Sequence, residues 1–502
     1  MNQPLKVAVI GAGPAGIYAS DILVKKTGGE VQIDLIEQMP APFGLIRYGV
    51  APDHPRIKGI IKSLHRVLDT EQIRLLTNVH IGRDITVDEL QQHYDAVVFA
   101  TGAVGDRQRE IPGADLDGVH GAGEFVGFYD GNPRFERHWD LSAKEVAAIG
   151  VGNVGLDVSR ILAKTGDELK VTEIPDNVYE SLAKNQAETL RVFGRRGPAQ
   201  AKFTPQELKE LDHSESINVV VSPEDIDYDE TSLAARQESK STDLVCQVLE
   251  QYAIRDPKKA PHTLQIHLFE QPVEILGENG KVTGIKTERT ALNGDGSVHG
   301  TGKFTEWPVQ AVYFATGYRS DAVNGVPFNQ EKNVINNDGG HVIDESGEVV
   351  PGLYTTAWIK RGPVGLIGNT KSDATETIGM LLDDAASGAL PSPLQHRRYH
   401  RCLCRARHRL PDVAGLAALG RGRTRIRRAR GPRTQEVRGV GGHGLPLARR
   451  GLAADDGEDF VDDGLNFVGR LRLYIEAQQR FRIGCAHVEP CLSVLELDSH
   501  TV

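Results

Sequence analysis

Apolar runs and helical spacings alternate along most of the chain. Residues 7–10 are four apolar residues in a row, as in a strand buried on both faces, and residues 17–24 continue with apolar positions at helical spacing. Residues 32–37 predict a second strand, one that ends in an acid. Residues 57–68 have helical periodicity, and 74–81 read as strands. AVVFATG at 96–102 is a buried strand ending in a small-residue turn, and AVYFATG repeats it at 311–317. The repeat marks two places where the chain leaves a parallel sheet, so the piece between them is expected to be an inserted domain. Inside it, 145–149 and 190–193 predict strands and 156–163 a helix. A capped helix is predicted at 204–211, where Glu207 follows Thr204 by three positions. A further helix is expected at 243–252, strands over 265–286 and a hairpin turn at 293–297. Residues 353–357 close the pattern as a strand, with a glycine-rich loop at 360–368 and a helix over 373–385. This alternation predicts an α/β chain of two Rossmann-like three-layer domains, one inserted into the other.

The turns carry the chemistry. Gly11, Gly13 and Gly16 stand in G-x-G-x-x-G spacing between the first strand and its helix. Gly11 makes the turn, Gly13 admits a pyrophosphate beside the backbone, and Gly16 lets helix and strand pack closely. Glu37 lies 26 residues after Gly11, near the spacing of about 20 for an acid that binds a ribose hydroxyl. The inserted piece repeats the device in GVGNVG, with Gly150, Gly152 and Gly155. Its distal strand ends in GRRG, so Arg195 and Arg196 stand where an acid would be. Two guanidiniums there suit a 2′-phosphate, and NADP(H) is expected over NAD(H). The Pro/Gly-rich run 38–55 offers Arg47, Asp53 and His54 as polar members. Long loops of this kind are often functional. The glycine loop before the last helix is an anion-stabilising device that suits a reduced flavin.

Composition narrows the class. The 502 residues are 39% hydrophobic and 25% charged, and no run approaches the ~18 apolar residues of a membrane span. The opening MNQPLK enters the first strand at once, so no targeting peptide is expected. Cys246 is the sole cysteine before residue 400, which disfavours a disulfide framework and fits a reducing cytoplasm. The net charge of −10 divides unevenly, with residues 391–502 holding 20 Arg, 12 acids and no Lys. That Arg-rich tail has weak hydrophobic periodicity and also carries Cys402, Cys404, Cys485 and Cys491. It reads as a nucleic-acid arm, as a disordered solvated segment, or as a shifted reading frame from about residue 395. The last explains best why lysine stops where Arg, Gly, Ala and Leu take over. Neither a nucleic-acid partner nor a metal site is therefore expected.

PFGLIRYGVAPDHP, GVGNVGLDVSRIL, GRRGPAQAKFTPQEL and WIKRGPVGLIG resemble the adrenodoxin reductase-like ferredoxin–NADP reductases, bacterial members included. The resemblance runs over residues 6–391. It implies an FAD domain in residues 1–105 and 320–390, an NADP domain in 106–319, and an atypical tail in 391–502. By resemblance, FAD is held at Ala15, Glu37, Leu45, Ile81, Trp358, Gly365, Leu366 and Ile367. NADP is expected at Arg107, Gly152, Asn153, Val154, Arg195, Arg196, Glu207 and Gly365. His54, Glu210 and Asp157 match residues that organise polar contacts and proton movement near flavin and nicotinamide. Gly155 stands where the family more often has alanine, and the family's lysine-containing C-terminal segment is missing. The implied reaction takes electrons from NADPH through FAD to a ferredoxin-type iron–sulfur protein. A flavin monooxygenase and a nucleotide- or nucleic-acid-binding regulator are the alternatives. A disulfide reductase would need a cysteine pair by the flavin, which Cys246 alone cannot supply.

Overall fold

The computed structural model describes residues 4–107, 110–365 and 367–392, with Ile367 represented by its backbone. Leu366 and the tail beyond residue 392 lie outside the described residues. The first strand, Leu5–Ile10, lies inside a seven-stranded sheet, next to its central strand. It pairs in parallel with Val31–Ile36 on one side and Ala96–Phe99 on the other. Ile73–Leu76 and Val349–Thr355 extend the parallel part, and two short antiparallel strands form one edge. Val7 and Val9 are fully buried and share a cluster with Ile17 and Leu23 of helix Pro14–Lys26. The same cluster takes Ala374, Ile378 and Leu381 from helix Ile367–Ser387.

The second sheet has six strands, all parallel, with Glu145–Ile149 between Ala311–Phe314 and Thr189–Phe193. Its residues alternate faces, as the strand period requires. Val146 and Ala148 face a cluster with Leu156, Ile161 and Leu249 of the helical layer. Ala147 and Ile149 face Ile275, Val282 and Ile285, which belong to a three-stranded antiparallel sheet. That meander, Glu270–Glu278, Lys281–Leu292 and Val298–Pro308, is the third layer. Gly105–Asp106 pairs antiparallel with Tyr318–Arg319, so chain leaving and chain returning run side by side.

Local structure departs from the periodicity in several places. The helix expected at 57–68 is two pieces, Pro55–Lys58 and Ile61–Leu68, broken at Gly59. A carbonyl-rich surrounding leaves no place for a side chain at Gly59, where a Cβ would stand 3.2 Å from Arg56 O. Only Ile73–Leu76 of the stretch 74–81 is a strand, because the chain turns through Asn78 at φ +60°. The glycine loop at 360–368 is preceded by a short helix, Trp358–Arg361, and the last helix starts earlier than its apolar spacing suggests.

The two glycine turns are built alike. A Cβ on Gly16 would lie 1.9 Å from Gly11 O, and one on Gly155 2.4 Å from Gly150 O. Gly155 is therefore the close-packing glycine of its own motif. Overpacking of this kind costs about 1–3 kcal/mol. Gly16→Ala and Gly155→Ala are each expected to lower the unfolding midpoint in denaturant titration. A midpoint equal to the parent's in either variant would show that helix and strand have slack there.

Candidate functional site

Both fingerprint helices begin with unspent N–H groups. Gly13 and Gly152 are the N-caps of Pro14–Lys26 and Asn153–Ala163, and neither helix has a side-chain cap or an acid in its first turn. A helix start so exposed favours an anion. The space matches: a Cβ on Gly13 would meet only Gly44 Cα at 3.8 Å, and one on Gly152 nothing within 4 Å. Beside the first turn, Thr101 Oγ1 is buried without a hydrogen-bond partner, as a polar atom waiting for a ligand would be. The loop 38–55 folds over this turn, with Phe43 N donating to Ala12 O at 2.8 Å and Leu45 opening the short helix Leu45–Tyr48.

Glu37 stands just past the strand, 6% exposed, accepting from Ala12 N at 2.8 Å and Met39 N at 2.9 Å. Burial pushes its carboxyl pKa up, against those hydrogen bonds and the charge of Arg134. Ala15 and Ile81 are buried nearby in the same domain. At the far end, Ala357 takes φ +61° and its N–H is held by Asp373, which also meets Lys360 and Arg361 at 3.4 Å. This turn sets Trp358, half-buried, against Tyr318 with ring centroids 6.3 Å apart. Gly365, at φ +88°, is exposed.

Between the two Rossmann units lies a buried charge network. His54 comes from the loop over the first turn, and Asp157 from the second fingerprint helix; Nε2 is 3.0 Å from Asp157 Oδ1. Glu207 Oε2 is also 3.0 Å from Nε2, and Glu210 Oε2 is 3.3 Å from Nδ1. Arg160, fully buried, sits at the centre. Its guanidinium grips Asp53 through Nε and Nη2, both at 2.8 Å, and reaches Asp157 Oδ1 at 2.7 Å. Lys164 Nζ adds a 2.7 Å contact to Asp53. A second tie crosses nearby, where Lys58 Nζ meets Asp130 at 3.2 Å and Glu173 at 3.1 Å.

The electrostatics follow from that crowding. Burial alone would lower the imidazole pKa of His54, but the carboxylates of Asp157 and Glu207 outweigh it and Arg160, and the pKa is raised to about 9. Burial also works against Asp53, yet Arg160 and Lys164 hold it well below the usual carboxylate range. His54, Asp157 and Glu207 have a spacing that could hold a metal ion. Arg160 Nη2 lies 2.7 Å from both His54 Nε2 and Asp157 Oδ1, so a guanidinium already occupies the space beside these atoms.

Of the expected residues, Glu207 is placed with His54 and not beside the second glycine turn. Its helix, Pro205–Glu210, links the two places through Thr204, whose N–H donates to Asn153 Oδ1 at 2.8 Å. Arg195 and Arg196 follow strand Thr189–Phe193, exposed and half-buried. Arg107 lines a cavity of about 840 Å³ with Arg134 and Arg319, apart from the GRRG loop. The sequence reading passed over Arg160, Lys58, Asp130 and Thr101. An arginine three residues after Asp157 on the apolar face of GLDVSRILA was the available signal for Arg160.

The chain is similar to known proteins over most of its length. Residues 5–193 match the family model described as pyridine nucleotide-disulphide oxidoreductase. The chain is 39% identical to the NADPH-ferredoxin reductase FprA of Mycobacterium leprae over 76% of itself and 84% of that protein. It is 36% identical to human mitochondrial NADPH:adrenodoxin oxidoreductase, covering 77% of this chain and 80% of the relative. The solved structure of Mycobacterium tuberculosis FprA in complex with NADPH superposes with a TM-score of 0.75 at 35% identity, over 81% of this chain and 91% of that one.

The raised pKa of His54 has a stability consequence. A group whose pKa is higher folded than unfolded stabilises fully below its unfolded value, near 6.5, and that contribution is lost as pH rises through the folded value, about 9. The stability gap between the parent and His54→Gln is thus expected to be widest below pH 6.5 and to close as pH approaches 9.5. Denaturant midpoints across that range measure it, and a gap independent of pH would show that His54 is neutral in the fold.

Proposed function

The chain belongs to the family of NADPH–ferredoxin and NADPH–adrenodoxin reductases, and from that premise we propose how its own residues serve the reaction. The protein is an FAD-dependent oxidoreductase that takes electrons from NADPH and passes them to an iron–sulfur protein of the ferredoxin type. The observation that carries this reading is the pair of open glycine cradles flanking one buried histidine network. Bound FAD accepts two electrons as a hydride and gives them up singly, which is the conversion the acceptor requires.

We assign residues 1–105 and 320–390 to FAD and 106–319 to NADP, a division supported by the two-strand ribbon at 105–106 and 318–319. Gly11, Gly13, Ala15 and Gly16 cradle the FAD pyrophosphate, and Glu37 takes its ribose. Leu45, Ile81, Trp358 and Gly365 to Ile367 complete that site. Gly152 to Val154 cradle the NADP pyrophosphate, with Arg107 as a further contact, and Arg195 and Arg196 take the 2′-phosphate. Glu207, whose Oε2 also meets His54 Nε2 at 3.0 Å, is our contact for the nicotinamide end. His54 holds a proton between Asp157 and Glu210, and Arg160 fixes the loop that carries it. Each NADPH consumed leaves one proton to be released, and His54 is the group placed to handle it. No protein nucleophile is needed, and Cys246, the cysteine among the described residues, is buried in the NADP domain. No helix among the described residues is long and apolar enough to cross a membrane. We place the enzyme in the cytoplasm, with a ferredoxin-type iron–sulfur protein as its electron acceptor.

The direct test is spectroscopic. The purified protein should carry a flavin absorbance that anaerobic NADPH bleaches and an oxidised ferredoxin restores. Bleaching followed by recovery only with oxygen and an organic substrate would indicate a monooxygenase.

Nucleotide choice tests the site. Each charge-assisted phosphate contact is worth about 1.5–3 kcal/mol, so Arg195→Ala with Arg196→Ala should cost NADPH several-hundredfold or more in kcat/KM and NADH little. An unchanged NADPH/NADH ratio would remove these two residues from the site. Gly13→Val should fold, since the cradle has room, yet purify with little FAD. A full complement of FAD in that variant would refute the assignment of the first motif.

A further inference from the structure

Arg195 and Arg196 must be held outward to meet a phosphate, and their backbone shows what holds them. Thr290 Oγ1 donates to Arg195 O at 2.7 Å. Phe269 N donates to Arg196 O at 3.3 Å, and Glu270 N to Gly194 O at 3.0 Å. All three donors come from the antiparallel meander or its entry, none from the parallel sheet that bears the loop. Three consecutive carbonyls are thus fastened inward. Both guanidiniums stay clear of ion pairs among the described residues.

The supporting layer is irregular where it touches the loop. The pairing of Lys281–Leu292 with Val298–Pro308 slips between Glu288 and Thr290. The extra residues, Thr301 to Lys303, belong to the outer strand, so Lys281–Leu292 keeps its alternation through this point. Arg289 goes to Asp225, Leu268 O and Glu224 O, and Thr290, its neighbour, to Arg195 O. Phe269 adopts φ +56°, a left-handed conformation that is strained for an aromatic residue. Its ring lies beneath the loop, where a Cβ on Gly197 would be 2.4 Å from Cζ, and Arg289 covers the ring at 5.5 Å. The strain sits directly under the loop and far from both glycine turns in sequence.

We propose that Thr290 is a specificity-determining positioning residue, its hydroxyl holding the Arg195 carbonyl so that Arg195 and Arg196 are presented to the nucleotide 2′-phosphate. Phe269, whose N–H holds the Arg196 carbonyl and whose ring Arg289 covers, braces it. This rests on the reading of Arg195 and Arg196 as the 2′-phosphate site.

The test uses FAD-loaded protein and two probes, 2′,5′-ADP and 5′-AMP, which differ by the 2′-phosphate. Binding is measured by calorimetry for Thr290→Val, Thr290→Ala and Thr290→Ser, each also combined with Arg195→Ala and Arg196→Ala. Loss of one hydrogen bond predicts about three- to tenfold weaker 2′,5′-ADP binding in the Val and Ala variants, with 5′-AMP unchanged and Ser retaining the parent affinity. In the double-arginine background Thr290→Val should add nothing, because the groups it positions are gone. In turnover the same variants should raise KM for NADPH and leave kcat and the NADH parameters alone. Should Thr290→Val prove unfolded, Thr290→Ala removes the hydroxyl without adding bulk. The proposal is overturned if 2′,5′-ADP binding is unaffected, or if both probes weaken together as a general loosening of the domain would cause. If the double-arginine variant itself binds 2′,5′-ADP like the parent, the underlying site assignment falls first.

Discussion

A fully buried guanidinium joins the two nucleotide-binding units. Arg160 belongs to the second fingerprint helix, yet its partner Asp53 lies in the loop that covers the first glycine turn. Taking a guanidinium out of water costs several kcal/mol unless geometry and hydrogen bonds compensate. Here Asp53 is met in bidentate fashion and Asp157 laterally, the best geometry an arginine has for carboxylates. The pair contributes more to arrangement than to stability. It works only when the loop and the helix are correctly docked, so it ties the distance between the two cradles to a condition of charge neutrality. Lys58 with Asp130 and Glu173 repeats the condition a short way off.

The same strand–glycine–helix unit serves twice, and the difference between the copies lies downstream of the turn. In the first copy the acid after the neighbouring strand is buried and fixed by two backbone N–H groups. That geometry gives the carboxylate a defined orientation. The second copy has an exposed and a half-buried arginine, with their carbonyls pinned from below. The first arrangement fixes one angle, and the second fastens a backbone and leaves two charged side chains outside ion pairs among the described residues. The meander exists as a layer because the parallel sheet has a second apolar face to cover, and that cover reaches the loop.

Much of this was legible in the sequence because it is local. The glycine spacing, the small-residue turns after 96–99 and 311–314, and Thr204 with Glu207 all act within a few residues of themselves. Thr204 does accept from Glu207 N, at 3.3 Å. The twin AVVFATG and AVYFATG segments did mark strands of two different sheets. What escaped was long-range. Nothing near Arg160 in sequence says that its carboxylate partner is 107 positions earlier. The periodicity of 57–68 says nothing of Lys58, which is buried against Asp130, 72 positions later. The bulge opposite Arg289 has Gly302 at φ +74° to announce it, but it lies in the facing strand, and nothing near Thr290 in sequence says that its hydroxyl meets the carbonyl of Arg195, 95 positions earlier.

The helix Pro205–Glu210 shows why the nucleotide cradle and the histidine are not independent sites. Asn153, first residue of the second fingerprint helix, accepts from Thr204 N at 2.8 Å. Thr204 caps the short helix, and that helix carries Glu207 and Glu210 to the two ring nitrogens of His54. His54 is held in turn beside Arg160, which lies on the same fingerprint helix as Asn153. The path closes on itself: cradle, cap, carboxylates, imidazole, guanidinium and back to the cradle's own helix. Such a loop resists distortion at any single member, because moving one breaks contacts with neighbours on both sides. The second glycine turn and the position of His54 are therefore set by one and the same helix.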